Sequence, residues 1–556
     1  MFTKLLIANR GEIAVRIART CRDLGIATVA VYSDADSRAR HVDVCDESVH
    51  LPGVASAATY ANISALVAAA RSSEAEAVHP GYGFAAESGA FARAVLEAGL
   101  AWIGPPPEAA DAAGDKVRAR AIAAAAGVPV VPGTSRTVAD AAEITSWAEA
   151  NGYPVAVKAA GGGGGRGLRV AHRAEELAEA LAAVRRETEA HFGSSEVYVE
   201  RYLEAARHYE VQVLAPGPDE ALWLGVRDCS LQRRHQKLIE ETPPACPARL
   251  DEMGEAAVAL AKACGYVGAG TVELLVTSDG LFYFLEVNAR LQVEHTVTEE
   301  VYGLDLVASQ LRIAAGEPLG LRQAGLEPRG HAIECRINAE DPARGFAPSP
   351  GVLRRYREPA GPGVRVDSGY REGDEVPQAY DSLLAKLVTW GASREEARRR
   401  MLRALHEFVI EGVPTTVPAH RRLLDSEEFR SGAHTTRTVE DSDVLAGLQP
   451  STQAPPAVAV VVGGRPARLW NPAMAAAGAA GVGPAASGEV VAPIAGVVLE
   501  VLVAPGRRVE AGDRVAVLEA MKMETHLEAP VSGRVAELGV RAGDAIEAGR
   551  VVARIE

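Results

Sequence analysis

A chain of 556 residues has room for three or more domains and a large buried core. Hydrophobic residues make up 48% and charged ones 24%, and no uninterrupted apolar run is long enough to cross a bilayer, so a soluble globular protein without a membrane partner is expected. A formal net charge of −15 argues against nucleic acid and anionic surfaces as broad partners, so any anion handled here needs a local basic pocket.

The opening Met1-Phe2-Thr3-Lys4 enters a strand-like run with no charged leader or small-residue cleavage site, and the six scattered cysteines form no Cys-x-x-Cys pair. The expectation is a reduced, cytoplasmic protein without a zinc site. Residues 4–9 read as a short apolar strand, followed by a helical pattern through Ile13, Ile17 and Leu24 and a strand at 27–32. That is a strand-helix-strand unit of an open α/β sheet. No Gly-x-Gly-x-x-Gly stands at its first turn, so dinucleotide binding is not supported. Residues 78–84 and 102–105 read as loops at strand ends, where such sheets contact ligands. Tyr82 in the first loop could stack on a flat ligand or fill a buried loop site.

Lys116 and Lys158 bracket a mainly helical, Ala-rich stretch, and a glycine-rich loop, residues 161–167, follows Lys158 directly. Without Cβ atoms its N–H groups can approach an anion, and a strand rather than a helix follows it. This excludes a Walker A loop and predicts a flexible hairpin lid over phosphates; a mere linker is the alternative.

The segment 271–288 gives the sharpest local inference. A two-residue turn at Asp279-Gly280 would place Glu273 directly opposite Glu286. One face would carry Val272, Leu274, Val276, Tyr283, Leu285 and Val287 toward a core. The other would carry Leu275, Phe282 and Phe284 near the turn and Glu273, Glu286 and Asn288 at the open end. Like charges opposite one another need compensation, and oxygen donors at this spacing suit Mg²⁺ or Mn²⁺ bridging phosphates; two solvated glutamates are the alternative. Beyond them Arg290, Gln292 and Glu294 alternate with apolar residues, so an extended strand would line them up to hold a small oxyanion and take its proton. Upstream, Gln232-Arg233-Arg234-His235-Gln236-Lys237 adds local positive charge, either for that anion or as a solvated basic edge.

Residues 331–440 mix strands with a charged helix at 393–408 and read as a third subdomain closing the site. From 447 to 488 the composition shifts to Ala, Pro and Gly, a tether interrupted at 458–470 by a possible hairpin that could dock onto a partner. Residues 491–519 then overlie 528–556 at a constant offset of 37, one unit written twice. Each copy reads as short strands with Gly-bearing turns, predicting a small β-sandwich with internal twofold symmetry. Ala520-Met521-Lys522-Met523 connects the copies, presenting Lys522 at a surface tip.

Ala520 to Met523 resembles the attachment sequence of biotin carboxyl carrier domains; related lipoyl domains typically carry an acidic residue where Met521 stands. Over residues 1–446 the chain resembles the biotin carboxylases of the ATP-grasp superfamily. The matching stretches include Ile7-Ala8-Asn9-Arg10-Gly11-Glu12-Ile13, His79-Pro80-Gly81-Tyr82-Gly83-Phe84, the 161–167 loop, the run from Gln232 to Lys237, residues 286–295, and Glu334-Cys335-Arg336-Ile337-Asn338. Together they resemble the α subunit of acyl-CoA carboxylases. The implied fold is α/β: a Rossmann-like domain at 1–113, an ATP-grasp domain at 114–330, a C-terminal α+β domain at 331–446, a linker at 447–488, and an all-β biotinyl domain, a flattened barrel or sandwich, at 489–556.

The resemblance implies that Lys116, Lys158, Gly163, Gly164, Gly165, Glu200, Leu203, His208, Gln232, His235, Glu273 and Glu286 bind ATP. It implies that Glu273, Glu286 and Asn288 hold Mg²⁺ or Mn²⁺, and that Lys237, Arg290, Gln292 and Val293 bind bicarbonate. Glu294 would be its base, Arg336 would stabilise the enolate-like biotin with Tyr82 near that ring, and Lys522 would carry biotin. Lys237, Arg290, Glu294 and Arg336 are thus the expected catalytic group. The implied partners are a biotin protein ligase and a carboxyltransferase β subunit that receives carboxybiotin for malonyl-CoA or methylmalonyl-CoA formation, in a larger α/β complex with a homo-oligomeric α subunit. Fatty acid biosynthesis is the expected setting. The tether would span about 35–40 Å as a random coil, enough for one carrier to visit two sites. Alternatives are a methylcrotonyl-CoA or pyruvate type of carboxylase, or a lipoylated ATP-grasp ligase.

Overall fold

The computed structural model describes residues 1–160, 168–192, 196–441, 443–450, 457–462, 465–470, 488–493, 496–520, 523–547 and 549–556. The first layer is a five-stranded sheet of β1 (Lys4–Ile7), β2 (Ala27–Tyr32), β3 (Glu47–His50), β4 (Ala77–His79) and β5 (Ala101–Trp102), ordered β3-β2-β1-β4-β5. Every pairing is parallel, and β1 is buried on both faces by Leu5, Leu6 and Ile7, which explains its uninterrupted apolar run. Helix α1 (Gly11–Asp23) starts without a side-chain cap and turns its buried stripe, Ile13, Ala14 and Ile17, onto this sheet.

A small antiparallel sheet, ordered β7-β6-β8, follows: β6 (Val155–Ala159), β7 (Leu168–Ala171) and β8 (Val197–Arg201). Strands β6 and β7 pair from Val155↔Ala171 to Lys158↔Leu168, the hairpin expected around the glycines. The glycine loop itself, with Gly163, Gly164 and Gly165, lies outside the described residues.

The largest layer is an eight-stranded antiparallel sheet. It contains β9 (Arg207–Gly217), β10 (Glu220–Arg233), β11 (Gln236–Thr242), β12 (Gly268–Val276), β13 (Phe282–Asn288), β14 (His331–Asn338), β15 (Val364–Ser368) and β16 (Leu383–Gly391), ordered β13-β12-β9-β10-β11-β14-β16-β15. The longest strands of the 331–446 segment join this sheet rather than forming a large one of their own: β14 pairs with β11, and Arg336 stands on the same continuous surface as Lys237. Gly369 permits the close contact of this region with α1, since a Cβ there would lie 2.5 Å from the backbone N of Glu12.

The β12–β13 hairpin corrects one expectation. Glu273 does stand opposite Glu286, and Thr271 opposite Asn288, but a bulge beyond Glu273 pairs Leu274 with Phe284 and Val276 with Phe282. The loop holds three residues rather than two. Thr277 and Leu281 close it, Gly280 takes the left-handed conformation at φ +80°, and Gly280 N–H donates to Thr277 O at 2.9 Å. Phe282 and Phe284 consequently join Val272, Leu274 and Val276 in the core, while Tyr283 and Leu285 are only partly buried.

Residues 457–462 and 465–470 pair as an antiparallel hairpin. The C-terminal domain has two four-stranded sheets. One orders Glu489–Val491, Val551–Ile555, Gly533–Leu538 and Arg508–Val509; the other orders Met523–Glu528, Arg514–Ala520, Gly496–Val501 and Ala545–Ile546. The repeat converts one order into the other, so the twofold symmetry read from sequence is present. Val490, Val498, Val515, Leu518, Val535, Val552 and Ile555 fill the space between the sheets. Ala520 pairs with Met523, but Lys522 lies outside the described residues. Among the described residues no helix is long and apolar enough to cross a membrane.

Candidate active site

The candidate site lies on one surface of the eight-stranded sheet. Strand β11 supplies Lys237, whose ammonium is buried among three carboxylates: Glu294 Oε1 at 2.6 Å, Glu210 Oε2 at 2.7 Å and Glu273 Oε1 at 3.1 Å. Burial alone would lower the Lys237 pKa, but Glu210, Glu273 and Glu294 outweigh it and hold the ammonium well above its usual range. His208 Nε2 lies 2.9 Å from Glu273 Oε2, and Gln292 Nε2 donates to Glu273 Oε1 at 3.1 Å. The acidic groupings His208–Glu210–Glu273 and Glu210–Cys229–Glu294 have metal-like spacing, yet the Lys237 cation supplies the charge at their centre.

Glu294 is not on an extended strand. Strand β13 ends at Asn288, and Glu294 occupies the N-cap position of helix α2 (His295–Tyr302), with φ −81° and ψ 13°. Burial would raise its pKa, but Lys237 above all, then Arg336 and Arg227, hold its carboxyl well below the usual range. Arg336 Nη2 donates to Glu294 Oε2 at 2.8 Å and Arg336 Nε to Glu240 Oε1 at 2.5 Å. Arg290 folds back on its neighbours, donating to Gln292 Oε1 at 2.8 Å and Asn288 Oδ1 at 2.9 Å. The turn thus gathers Arg290, Gln292 and Glu294 as strand alternation was expected to. Val293 is fixed through its backbone, its carbonyl accepting from Lys386 Nζ at 2.9 Å.

Away from this cluster, Lys116 Nζ lies 3.5 Å from Glu286 Oε2, both partly exposed. Lys158 on β6 pairs with Glu200 on β8, which also accepts from Arg120 Nη1 at 2.8 Å. Leu203 is half-buried just beyond β8. Gln232 is buried near the end of β10, and His235 is exposed at the β10–β11 tip. Arg234 and His235 make that tip with φ +47° and +66°, a left-handed pair without glycine of the kind that collects at functional sites. Tyr82 turns a buried, unpartnered hydroxyl inward, and Lys386 Nζ lies 5.8 Å from its ring centre. On the carrier, His526 lies below the usual imidazole range, first through burial and then through Arg514, Arg234 and Arg169.

Two buried supports escaped the sequence reading. Arg227, fully buried in β10, pairs with Glu210 and donates to Gln212 Oε1 at 2.7 Å and Thr298 Oγ1 at 2.9 Å. Lys386 lies 3.3 Å from Glu12. Their signal was available: each charge sits inside an apolar strand run, where burial without a partner would be prohibitive.

A large antiparallel sheet that holds acidic and amide oxygens, together with a small antiparallel sheet that carries Lys158, defines an ATP-grasp enzyme. The family comparisons are specific. Residues 1–110 match "Biotin carboxylase, N-terminal domain", 115–322 match "Carbamoyl-phosphate synthase L chain, ATP binding domain", 334–441 match "Biotin carboxylase C-terminal domain" and 485–555 match "Biotin-requiring enzyme". The chain is 46% identical over 562 residues to the biotin-dependent acyl-coenzyme A carboxylase alpha3 subunit of Mycobacterium leprae, covering 95% of this chain and 94% of that protein. It is 49% identical over 448 residues to biotin carboxylase 1 of Bacillus subtilis, covering 80% of this chain and 100% of that one. The biotin carboxylase domain of Hydrogenobacter thermophilus 2-oxoglutarate carboxylase, solved with MgADP and bicarbonate, superposes with a TM-score of 0.78 at 44% identity, covering 81% of this chain and 100% of that chain. This chain belongs to the biotin carboxylase family, in the form that also bears a biotinyl carrier domain. It is an ATP-dependent ligase whose cofactors are biotin, ATP and Mg²⁺.

Proposed function

We propose that this chain is the α subunit of an acyl-CoA carboxylase, using ATP and bicarbonate to carboxylate biotin attached to its own Lys522. The observation that carries the reading is the Lys237–Glu294–Arg336 chain, in which Glu294 bridges two strands of the sheet that also carries the Glu273/Glu286 rung. The similarity to the alpha3 subunit favours an acyl-CoA as final acceptor. A carboxyltransferase on another polypeptide would complete the reaction, with the linker at 447–488 letting the carrier at 489–556 reach it. The 1–113, 114–330 and 331–446 segments then serve as the three parts of the carboxylase.

Lys237, Arg290, Gln292 and the backbone of Val293 hold bicarbonate. As the anion takes over the contacts of Lys237 and Arg336, Glu294 loses the cations that depress its pKa and becomes basic enough to accept the bicarbonate proton. The freed oxygen attacks the γ-phosphate of ATP, expelling ADP and leaving carboxyphosphate. Lys116 and Lys158 offset charge on the phosphates under the glycine lid, with Glu200, Leu203, His208, Gln232 and His235 around the nucleotide. Glu273, Glu286 and Asn288 are hard oxygen donors on facing strand positions and fit Mg²⁺, which when bound neutralises phosphate charge. Carboxyphosphate would split into CO₂ and phosphate, and biotin held on Lys522 would supply the ureido nitrogen that bonds the CO₂ while the released phosphate takes its N–H proton. Arg336 is placed to offset charge on the ureido oxygen, with Tyr82 beside the ring.

The test is isotopic. With ¹⁸O-labelled bicarbonate, the attacking oxygen must end in inorganic phosphate, and Glu294→Gln must abolish that transfer while ADP still binds. Turnover that leaves phosphate unlabelled would exclude this route.

A further inference from the structure

The proposed mechanism leaves unused a pair of carboxylates behind the pocket. Glu240 of β11 and Glu334 of β14 stand directly across the ladder, both fully buried. Glu240 Oε1 holds Arg336 Nε, and Glu334 Oε2 accepts from the Thr296 hydroxyl. Each keeps one buried oxygen, Glu240 Oε2 and Glu334 Oε1, without a hydrogen-bond partner. Two facing carboxylates with orphaned oxygens are costly to ionise together. Burial raises both, opposed at Glu240 first by Arg336, which is in hydrogen-bond contact with it, and at Glu334 first by Lys386, which is not, so the ionised form is favoured at Glu240.

Arg336 thus has two anchors that differ in what the reaction does to them. Glu294 at Nη2 must accept a proton, and its acid form grips a guanidinium weakly. Glu240 at Nε takes no part in proton transfer from bicarbonate. We infer that Glu240 is a positioning residue that keeps Arg336 aimed while Glu294 is protonated, and that Glu334 carries the proton the pair shares, leaving Glu240 ionised. This rests on the roles proposed above for Glu294 and Arg336.

The contrast between the two glutamates makes the inference testable in the full chain. Glu240→Gln keeps shape and hydrogen bonding but loses the charge that holds Arg336, whereas Glu334→Gln only makes permanent a neutrality the pair already has. In a Lys522→Arg background, which lacks biotin, bicarbonate-dependent ATP hydrolysis by Glu240→Gln should stay within about threefold of its parent. In the biotinylated chain the same variant should lose at least about tenfold in label transferred from bicarbonate per ATP cleaved, while Glu334→Gln stays within about twofold. Infrared spectra at neutral pH should show Glu334→Gln losing intensity in the carboxylic-acid carbonyl stretch. If Glu240→Gln does not fold, Glu240→Asp takes its place, with a severalfold loss of coupling expected. A merely structural role would depress both Gln variants alike, and that equality, or unimpaired coupling in the Glu240 variant, overturns the proposal. Arg336→Met run alongside separates the failures: full coupling there removes the role given to Arg336, whereas its uncoupling with an intact Glu240 variant removes only the role given to Glu240.

Discussion

Glu273 and Glu286 face each other on one rung of the β12–β13 ladder, yet they live in different physical worlds. Glu273 is buried and clasped by Lys237, His208 and Gln292, and although burial would raise its pKa, Lys237 and His208 hold it far below the usual carboxylate range. Glu286 keeps 23% of its side chain exposed, with Lys116 3.5 Å away. One glutamate is built into a fixed electrostatic framework; the other stands at the edge, where nucleotide and cation can reach it. The difference suggests that the bicarbonate side of the site is prepared before substrate arrives, whereas the nucleotide side is completed by its ligands.

Activity alone will not separate the two glutamates, since both Gln variants should lose bicarbonate-dependent ATP hydrolysis by roughly 10²–10⁴-fold, the range for removing a group that acts on the transition state. Stability will separate them. Glu273→Gln strips the counter-charge from buried Lys237 and His208 and should cost about 3–5 kcal/mol in chemical denaturation. Glu286→Gln, at a partly solvated pair, should cost no more than about 1 kcal/mol. Equal losses would show that the rung is uniform. Arg227→Met should resemble the Glu273 variant, falling by about 3–5 kcal/mol because buried Glu210 loses one of its two cations, keeping only Lys237, and Gln212 and Thr298 lose their donor.

The smallest expected effect lies in pH dependence and distinguishes carboxylates of opposite sign. Glu241 is lowered to about 2: burial would raise it, but the His331 hydrogen bond and Arg394 prevail. The unfolded chain therefore binds that proton first, and the stability Glu241 contributes is present above pH 4.5 and lost as pH falls toward 2. Glu334, raised to about 7, behaves oppositely: the folded state holds the extra proton, so its contribution is present below pH 4.5 and lost as pH rises through 7. Glu334→Gln should flatten the decline in melting temperature between pH 5 and 8 without changing acid sensitivity. An unchanged slope would show that Glu334 does not titrate there.

Much of this was legible in the chain because its signals are local or periodic. The repeat of 37 residues foretold two interchangeable sheets, and the Glu273–Glu286 pairing emerged from strand alternation near a turn. The pairing was reached through a two-residue turn, however, and the actual three-residue loop with left-handed Gly280 yields the same rung only because the bulge beyond Glu273 restores the register. Phe282 and Phe284 consequently changed faces. Glu294 was legible as a neighbour of Arg290 and Gln292 but not as a helix cap, because a turn and an extended strand place alternate polar residues together at this short range. Lys386–Glu12 was hidden because its two residues come from distant segments, whereas Arg227 and Glu210 face each other across the β9–β10 hairpin, a local pairing that the sequence reading did not draw.

The central claim is that this chain carboxylates its own carrier. The direct measurement is to purify the chain after co-expression with a biotin protein ligase, confirm one biotin by intact mass, and supply ¹⁴C-bicarbonate with MgATP. The account predicts ATP-dependent label on the chain, none on Lys522→Arg, and transfer to an acyl-CoA only after a carboxyltransferase is added. Label on the Lys522→Arg chain, or acyl-CoA carboxylation by the purified chain alone, would contradict it.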